Sequence, residues 1–492
     1  MLKTLIRSHV DVDNLAEVFH ANGVCSGSFV AVFMTNSPEM VFTIIALTKL
    51  GAVPALINIA LRSKFLACCS SSPLLKEKFI DQTLLHCLSV AGASIMVSTP
   101  DLASHMEELF DDPVMAKICM SLNLGSFKDA FIAEHPERFV QITQQSLAAV
   151  SGNITCSSTP RALKDIGVLI YTSGTTGKPK ACSVKNFQFV LVSTTVPMDA
   201  DNPKKYSSIR IFSCLPLFHG TCLFTGLCYA IGNSGTFCLA RKFSASGFSR
   251  VLAECGATRT LYVGELCRYL LKAPPSQYDK AHSCKIANGN GLQRDVWAKF
   301  TERFGIEEVR EFYRSTEGIA KYDNFGHGHV GAGKVGFEGP IANYFNTHTY
   351  LVRYDLETES PWRDLKTGLC VRAKPGEPGE AIGRVNSMDF YSDYLNNPEA
   401  TAKKLITDVF QKGDLFQRTG DLLVRHKTGW VNFLDRSGDT YRWQSENVSA
   451  GEVREHISHL PGVQDVTVYG MKLEGYDTTQ ACLATLENRT NL

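Results

Sequence analysis

Short apolar runs alternate with longer, helix-like segments along most of the first 300 residues of the chain. Residues 29–35 (FVAVFMT) form a continuous apolar run, which predicts a buried strand. Ser37, Pro38 and Glu39 follow and predict a helix start, because they supply a capping residue, a proline for the first turn and an early acid. The next apolar stretch stops at Gly51, where a glycine predicts the end of the helix.

The same kind of run predicts further strands at residues 52–57, 94–97, 166–171, 209–215 and 236–239. Strands that alternate with helices favour an α/β fold with largely parallel sheets. From about Gly328 the chain becomes rich in Gly, Pro and turn residues, with short β-like runs. We therefore expect a large α/β body and a β-rich subdomain over about residues 328–434.

Composition narrows the class of protein. The formal net charge of the 492 residues is +1, which favours neither a nucleic-acid partner nor strong attraction to an anionic membrane. The sixteen cysteines form no CxxC pair, and we interpret them as reduced, buried thiols of a cytosol-facing protein. Residues 1–10 do not predict a secretory signal, because Lys3 and Arg7 interrupt a short apolar stretch. In residues 40–61, Lys49 and Pro54 favour a helix and a strand over a membrane span.

The strand predicted at residues 166–171 runs into a segment suited to binding phosphate: Thr172-Ser173-Gly174-Thr175-Thr176-Gly177-Lys178-Pro179-Lys180. Its two glycines let backbone amides curve towards an anion, its four hydroxyls can donate hydrogen bonds, and its two lysines can neutralise charge. A solvated turn is the plainer alternative. An unbroken run of Ser, Thr and Gly directly after a buried strand disfavours it.

This segment differs from the Walker A loop of P-loop nucleotidases. That motif requires a glycine where Thr172 stands, and Ser or Thr where Pro179 stands. Residues 171–180 (YTSGTTGKPK) instead resemble the signature of the adenylate-forming superfamily of acyl-CoA synthetases, luciferases and peptide-synthetase adenylation domains. The resemblance implies the adenylate-forming fold, with a large α/β body, a β-rich subdomain and a small α+β C-terminal domain.

Other motifs extend this resemblance over most of the chain: EFYRSTEG (311–318), RTGD (418–421), NGNG (288–291), CLPLFH (214–219) and RWQSENVS (442–449). The last three are similar to segments of very-long-chain and long-chain fatty acyl-CoA synthetases of the fatty acid transport protein group. Asp435-Arg436 resembles the family's hinge. The resemblance thus implies a large domain over residues 1–434, and a hinge with a C-terminal domain over residues 435–492.

The resemblance also implies a role for each matching residue. It assigns ATP binding to Thr172, Ser173, Gly174, Thr175, Thr176, Gly177, Lys178, Gly289, Asn290, Gly291, Tyr313, Thr316, Asp421 and Arg436. Tyr313 would lie against adenine, and the Asp421 carboxylate would accept hydrogen bonds from the ribose hydroxyls. Thr172 and Glu317 would hold Mg²⁺, a hard cation that prefers oxygen ligands.

The implied catalytic residues are Thr172, Lys180, Glu317 and Arg436, and His219 would stand near the acyl substrate. The implied reaction is the ATP-dependent activation of a long or very long chain fatty acid to an acyl-adenylate and then to acyl-CoA. ATP, Mg²⁺ and coenzyme A would take part, and AMP and pyrophosphate would be released. We expect peripheral association with the cytosolic face of an endoplasmic reticulum, peroxisome or lipid droplet membrane.

The C-terminal part departs from the family pattern. A lysine that contacts the acyl carboxylate and phosphate in the family has no match here, and Gln444 stands where a lysine is common. We therefore expect a truncated C-terminal domain and slower adenylation, by about 100- to 1,000-fold if the contact resembles an oxyanion-hole donor. Two alternatives stay open: a catalytically impaired nucleotide- or lipid-binding fragment, and an adenylating ligase for another carboxylic acid.

A second glycine motif has to be weighed. Residues 331–336 (GAGKVG) match GxGxxG, and Asp355 lies about twenty residues further on. A dinucleotide site requires a strand before this motif and a helix after it. We expect no strand at residues 325–329 and no helix start at residues 337–340, which disfavours nicotinamide binding.

Overall fold

The computed structural model describes residues 8–59, 83–123, 139–152, 161–173, 178–194, 209–327, 331–355, 358–436, 440–443, 446–449, 453, 457, 465–472 and 479–487. The chain forms two compact units. Unit 1 comprises Met1–Asn288, Glu302–Ile306 and Ser387–Thr401, and unit 2 comprises Gly289–Thr301, Glu307–Asn386 and Ala402–Leu492. The domain boundary at residues 434/435 stays a prediction.

Unit 1 contains a seven-stranded sheet. Its strands lie in the order Phe139–Thr143, Ile118–Asn123, Ile95–Ser98, Phe29–Phe33, Val53–Leu56, Ile166–Ser173 and Pro179–Lys185. Neighbouring strands are parallel except for the last pair, which is antiparallel. The central strands are buried along their length, as expected for a parallel sheet covered on both faces.

The helix predicted after the first strand is confirmed as Pro38–Lys49. The Ser37 hydroxyl accepts a 3.2 Å hydrogen bond from the Met40 amide, which caps the helix. Gly51 follows at φ +72°, a left-handed conformation that favours glycine. The α/β alternation predicted from the sequence is therefore present here in detail.

A second parallel group in unit 1 has the order Arg259–Val263, Arg210–Ser213 and Thr236–Leu239. The predicted strand at residues 236–239 is confirmed with the same bounds, and that at residues 209–215 is confirmed in shorter form. The strand Ile286–Asn290 crosses from unit 1 into unit 2 along the chain.

Helices occupy the following segments: Ser8–Ala21, Pro38–Lys49, Gln144–Ala148, Asn186–Ser193, Tyr229–Gly232, Phe248–Glu254, Gly264–Lys272, Arg294–Phe304, Pro340–Phe345 and Pro398–Lys403. Pro100–Leu109 and Met388–Phe390 are 3₁₀ helices, and Thr221–Cys228 is a π-helix. No helix within the described ranges is both long enough and apolar enough to cross a bilayer.

Unit 2 is rich in antiparallel strands. One sheet has the order Gly336–Phe337, Trp430–Arg436, Leu415–Arg425, Pro378–Arg384, Thr349–Asp355 and Ser360–Pro361, and Leu405–Thr407 also pairs with Leu415–Arg425. A hairpin joins Glu308–Tyr313 and Tyr322–His327. A four-stranded sheet follows, in the order Glu446–Ser449, Thr440–Trp443, Thr479–Glu487 and Asp465–Lys472.

Two local expectations around the GAGKVG segment are wrong. A strand, Tyr322–His327, does precede it, because pairing with Glu308–Tyr313 overrides the weak strand preference of its glycine. A helix, Pro340–Phe345, does follow, because Pro340 suits the first helical position. The strand belongs to an antiparallel hairpin and the helix has six residues, so the parallel strand-and-helix unit of a dinucleotide site is not formed by these elements.

Candidate functional site

The predicted phosphate segment in unit 1 is a β-hairpin. Thr172 lies opposite Lys180 and Ser173 opposite Pro179 on the two antiparallel strands. Thr172 and Lys180 are half-buried and Lys178 is exposed, whereas only the backbone of Ser173 is described. Four predicted phosphate ligands lie outside the described residues: Gly174, Thr175, Thr176 and Gly177.

Hydrogen bonds to other residues of unit 1 support both strands of this hairpin close to its loop. The Tyr171 hydroxyl donates a 2.7 Å hydrogen bond to the Cys87 carbonyl, and the His86 ring lies 2.9 Å from the Pro179 carbonyl oxygen. Burial raises the pKa of the Tyr171 hydroxyl well above its usual range, so it remains a donor. The strand ends that carry Thr172 and Lys180 are thus both tied to the adjacent residues His86 and Cys87.

The distant segment Ser387–Thr401 packs on the second strand of the hairpin. Tyr394 and Cys182 form an isolated antiparallel β-bridge, and the Leu395 amide donates a 2.9 Å hydrogen bond to the Ala181 carbonyl. The Lys180 ammonium lies 5.4 Å from the centre of the Tyr394 ring, within reach of a cation–π interaction. Sequence reasoning missed Tyr394, because no local pattern indicates a partner so far along the chain.

In unit 2, two predicted nucleotide ligands meet directly. The Tyr313 hydroxyl donates a 2.6 Å hydrogen bond to Asp421 Oδ2, although 108 positions separate them. Asp421 and Arg436 are cross-strand partners, and Arg436 Nε lies 3.7 Å from Asp421 Oδ1. The Tyr313 ring also lies 6.5 Å from the Phe433 ring, so aromatic surface flanks the carboxylate.

Burial sets the electrostatics of this cluster. It raises the pKa of the Asp421 carboxyl above its ordinary value, and the Tyr313 hydrogen bond and the Arg436 charge oppose that shift. The pKa of Tyr313 is raised well above its usual range by burial and by the Asp421 charge. The phenol is therefore the donor, and the ionised carboxylate retains acceptor positions for another hydroxyl.

Buried groups of unit 2 fix the turn that carries Asp421. Gly420 takes φ +77°, and its amide donates a 3.0 Å hydrogen bond to Glu380 Oε1. Arg418 makes an ion pair of 2.8 Å with the fully buried Glu380 carboxylate. The Thr419 hydroxyl accepts from the Asp421 amide at 3.0 Å. Sequence reasoning missed Glu380, since an acid in a strand carries no local sign of its partner.

Glu317 follows the same strand as Tyr313 and is mostly buried, with 11% of its side chain exposed. Lys404 Nζ lies 3.8 Å from its carboxylate and donates a 3.0 Å hydrogen bond to the Thr419 carbonyl. Thr316 is half-buried beside it. The described residues contain no cluster of three or more potential metal ligands of the His, Cys, Asp or Glu type. A site with a single carboxylate ligand suits Mg²⁺, because this ion keeps waters and phosphate oxygens as its other ligands.

The predicted adenine turn lies in unit 2. Gly289 and Asn290 end their strand, and Gly291 takes φ +77°, a conformation that favours glycine. The Leu292 amide donates a 3.2 Å hydrogen bond to Glu311 Oε1, from the strand that carries Tyr313. Glu311 is buried, so it ties this turn to the Tyr313 strand.

His219 lies in unit 1, two residues before the first residue of the π-helix Thr221–Cys228. Its ring packs 4.7 Å from the Phe218 ring, and part of it reaches solvent. Desolvation by the surrounding protein lowers the pKa of the imidazole, which favours the neutral form. The structure does not assign it an acyl ligand, and its substrate role stays a prediction. π-helical turns are frequent at functional sites.

Comparisons with known proteins identify the family of the chain. The model of the family described as AMP-binding enzyme matches residues 8–372. The chain is 33% identical over 484 residues to the very long-chain fatty acid transport protein of Saccharomyces cerevisiae, which covers 96% of this chain and 68% of that protein.

Two solved structures share the fold. An anthranilate CoA ligase in complex with anthranoyl-AMP matches with a TM-score of 0.70 at 17% identity, over 94% of this chain and 79% of that chain. The o-succinylbenzoate coenzyme A synthetase of Bacillus subtilis, in complex with ATP and magnesium ion, matches with a TM-score of 0.66 at 19% identity, over 99% and 84% of the two chains. The predicted adenylate-forming fold is confirmed.

Proposed function

The chain belongs to the AMP-binding enzyme family and to its group of very-long-chain and long-chain fatty acid transport proteins, and on that basis we propose that it activates a long or very long chain fatty acid to its coenzyme A thioester. ATP is consumed, and AMP and pyrophosphate are released. The observation that carries this proposal is the 2.6 Å hydrogen bond between Tyr313 and Asp421, two motif residues 108 positions apart.

The first half-reaction joins two anions. An oxygen of the fatty carboxylate forms a bond to the α-phosphorus of ATP, the bond from that phosphorus to the bridging oxygen breaks, and pyrophosphate leaves. Positively charged groups and amides lower the barrier, because they offset the repulsion and hold the reactants in line. We assign this part to the hydroxyls and amides of residues 172–178, with Lys180.

The nucleoside is held by unit 2. Tyr313 offers an aromatic face to adenine, and the turn at Gly289, Asn290 and Gly291 offers backbone groups. Asp421, fixed by Tyr313, accepts hydrogen bonds from the ribose hydroxyls, and Arg436 reaches the phosphate side of the ribose. Thr316 and Glu317 follow at the end of the same strand as Tyr313.

Glu317 is the carboxylate ligand that we propose for Mg²⁺, with the Thr172 hydroxyl as a further oxygen ligand. When bound with ATP, the ion neutralises phosphate charge. Lys404, whose Nζ lies 3.8 Å from the Glu317 carboxylate, orients that carboxylate.

In the second half-reaction the coenzyme A thiol gives its proton to solvent, and the thiolate attacks the acyl carbonyl carbon of the adenylate. The thioester bond forms, the bond from that carbon to the phosphate oxygen breaks, and AMP leaves. His219, whose neutral form is favoured, is the residue that we place near the acyl group.

We propose that the protein works on the cytosolic face of a membrane that supplies its fatty acid. The cysteines are consistent with a reducing compartment, since the twelve that the structure describes are free thiols and all but Cys25 are buried. The choice among endoplasmic reticulum, peroxisome and lipid droplet belongs to the same proposal and is tested by co-localisation of the tagged protein.

The test is fatty-acid-dependent exchange of radioactive pyrophosphate into ATP, with a panel of long-chain, short-chain and aromatic acids. We expect exchange with long-chain acids, and its loss in Asp421→Ala. Exchange with no acid would leave the impaired, ligand-binding alternative. Exchange only with short polar or aromatic acids would show that the protein activates another kind of carboxylic acid.

A further inference from the structure

Unit 2 contains a cavity of about 620 Å³ that none of the proposed nucleotide ligands lines. This volume is in the range of small-molecule sites. Its walls include the side chains of Lys321, Phe325, Phe337, Glu338, His348 and Trp430. The proposed function assigns no ligand to it.

One wall is aromatic. Phe337 and Trp430 are cross-strand partners, and their rings meet edge to face at 4.9 Å between centroids. Phe337 is 52% exposed and Phe325 is 37% exposed, so both rings have apolar surface left to cover. The helix Pro340–Phe345, which follows Phe337 along the chain, exposes Ile341, Tyr344 and Phe345 as well.

The two acids of the cavity are already neutralised. Asp323 accepts a 2.6 Å hydrogen bond from Arg314. Glu338 is buried, accepts a hydrogen bond from Asn346, and has Arg425 3.7 Å from its carboxylate. These carboxylates therefore do not leave the cavity with unpaired negative charge.

The basic side chains of the cavity, unlike its acids, have no ion pair among the described residues. Lys321 and His348 are exposed, and neither forms an ion pair with any residue in the described part of the chain. Both line the cavity, and their chain segments are joined, because the Lys321 amide donates a 3.1 Å hydrogen bond to the hydroxyl of Thr349, the residue after His348. The cavity thus presents the uncompensated Lys321 ammonium at one place and aromatic surface at another.

A buried donor adds to this pattern. Tyr322 lines the cavity and is 5% exposed, yet its hydroxyl has no hydrogen-bond partner among the described residues. Burial and the Glu338 charge raise the pKa of this phenol, so the hydroxyl keeps its proton. A buried polar group without a partner is costly, and a ligand oxygen would satisfy it.

We propose that this cavity is a second ligand site, for a free amphipathic carboxylate of the fatty acid type. The carboxylate lies against Lys321 and His348, and the apolar chain covers Phe325, Phe337 and Trp430. The site is distinct from that of the acid being activated. It adjoins the nucleotide cluster, because the Tyr322 and Tyr313 rings lie 6.3 Å apart across one hairpin.

The test is calorimetric titration of the full chain with a long-chain fatty acid below its micelle concentration, and with the fatty alcohol of the same length. We expect two sites for the acid. Lys321→Ala and Phe337→Ala should each weaken one of them about tenfold, the size expected for one charged contact or one aromatic contact. Lys366→Ala and Leu365→Ala, at exposed positions that do not line the cavity, are the matched controls.

The outcomes separate this site from the proposed ligase activity. Unchanged titrations for both cavity variants would overturn the second site, whatever the exchange assay gives. Loss of one site in those variants, without pyrophosphate exchange in the wild type, would retain the second site and reject the ligase. Equal binding of acid and alcohol at both sites, or an effect seen only with phosphatidylserine vesicles, would also overturn it, since no free carboxylate would then be recognised.

Discussion

Tyr313 and Asp421, which lie on different strands of unit 2, are joined by a 2.6 Å hydrogen bond in which the phenol donates to the carboxylate. Because Asp421 is mostly buried, this bond is one of few interactions that stabilise its ionised form. In the function proposed above, the two residues act as one unit: the ring would offer a surface to the base, and the hydroxyl would prepare the acid for the ribose.

Replacing Tyr313 with Phe tests that unit. The ring stays, whereas the buried carboxylate loses a donor, and hydrogen bonds to charged groups contribute about 1.5–3 kcal/mol. We expect the KM for ATP to rise about 10- to 100-fold and the free energy of unfolding to fall by a similar energy. Exchange kinetics and urea unfolding measure the two effects.

The matched control is Tyr322→Phe. Tyr322 is the cross-strand partner of Tyr313, and its hydroxyl has no hydrogen-bond partner among the described residues. Its loss should leave the KM for ATP nearly unchanged and should not lower the stability, because it removes a buried hydroxyl that has no partner. Equal effects of the two substitutions would contradict the role given to the Tyr313–Asp421 bond.

The Asp421 carboxyl predicts a dependence on pH. Burial raises its pKa in the folded state above 3.8, so its contribution to stability is fully present below 3.8 and is lost as the pH rises through the raised pKa. Asp421→Asn should therefore gain stability relative to the wild type as the pH rises through that window. Thermal unfolding of both proteins at a series of pH values is the measurement.

Ribose binding should show the opposite trend, because only the ionised carboxylate accepts hydrogen bonds from both ribose hydroxyls. The KM for ATP of the wild type should rise as the pH falls through the raised pKa, and that of Asp421→Asn should be high and flat over the same window. A wild-type profile without an inflection above pH 3.8 would argue against a buried acid in this role.

Particular elements explain how much the sequence could predict. The helix that begins at Pro38 and the strand that leads to Thr172 follow from local apolar runs, caps and turns, and both are present. Motif resemblance predicts a nucleotide-binding role for Tyr313 and Asp421, and the structure brings the two residues into contact. The strand Tyr322–His327 was missed because its stability comes from its hairpin partner, not from its own residues.

The supporting residues could not be predicted, for a related reason. Glu380, Lys404 and Tyr394 act through pairings with Arg418, Glu317 and Lys180, and such pairings depend on strand order and register. A single sequence records neither. Local patterns identify candidate ligand-binding residues through known motifs, whereas the residues that position those candidates become visible only in three dimensions.

Glu380→Gln tests one of these supports. The substitution removes the charge that pairs with Arg418 and weakens the acceptor for the Gly420 amide. Removing one partner of a buried pair costs about 3–5 kcal/mol, and we expect the lower end because the Arg418 side chain is 23% exposed. Urea unfolding should report this loss, and the KM for ATP should rise because the turn before Asp421 loosens.

Glu254→Gln is the control, since it removes the acid of an exposed pair with Arg250 on one helix. Exposed pairs of this spacing contribute about 0.3–0.5 kcal/mol, so its stability should hardly change. A Glu380→Gln protein as stable as this control would mean that the buried pair does not fix the Asp421 turn.

In unit 1, the Tyr394 ring faces the Lys180 ammonium. Two substitutions separate the effect of the aromatic face from the effect of side-chain volume. Tyr394→Phe keeps the face over the ammonium, whereas Tyr394→Leu removes an interaction of about 0.5–2 kcal/mol. We expect the KM for ATP to change little in the first variant and to rise about 2- to 30-fold in the second. Tyr391→Leu, a substitution of another buried tyrosine of the same segment, should lower the stability without raising the KM for ATP.

The deciding measurement is a double-mutant cycle with Lys180→Met. If Tyr394 acts by positioning the ammonium, Tyr394→Leu adds no further increase in the KM for ATP once the ammonium is gone. Additive effects of the two substitutions would show that Tyr394 acts by packing alone.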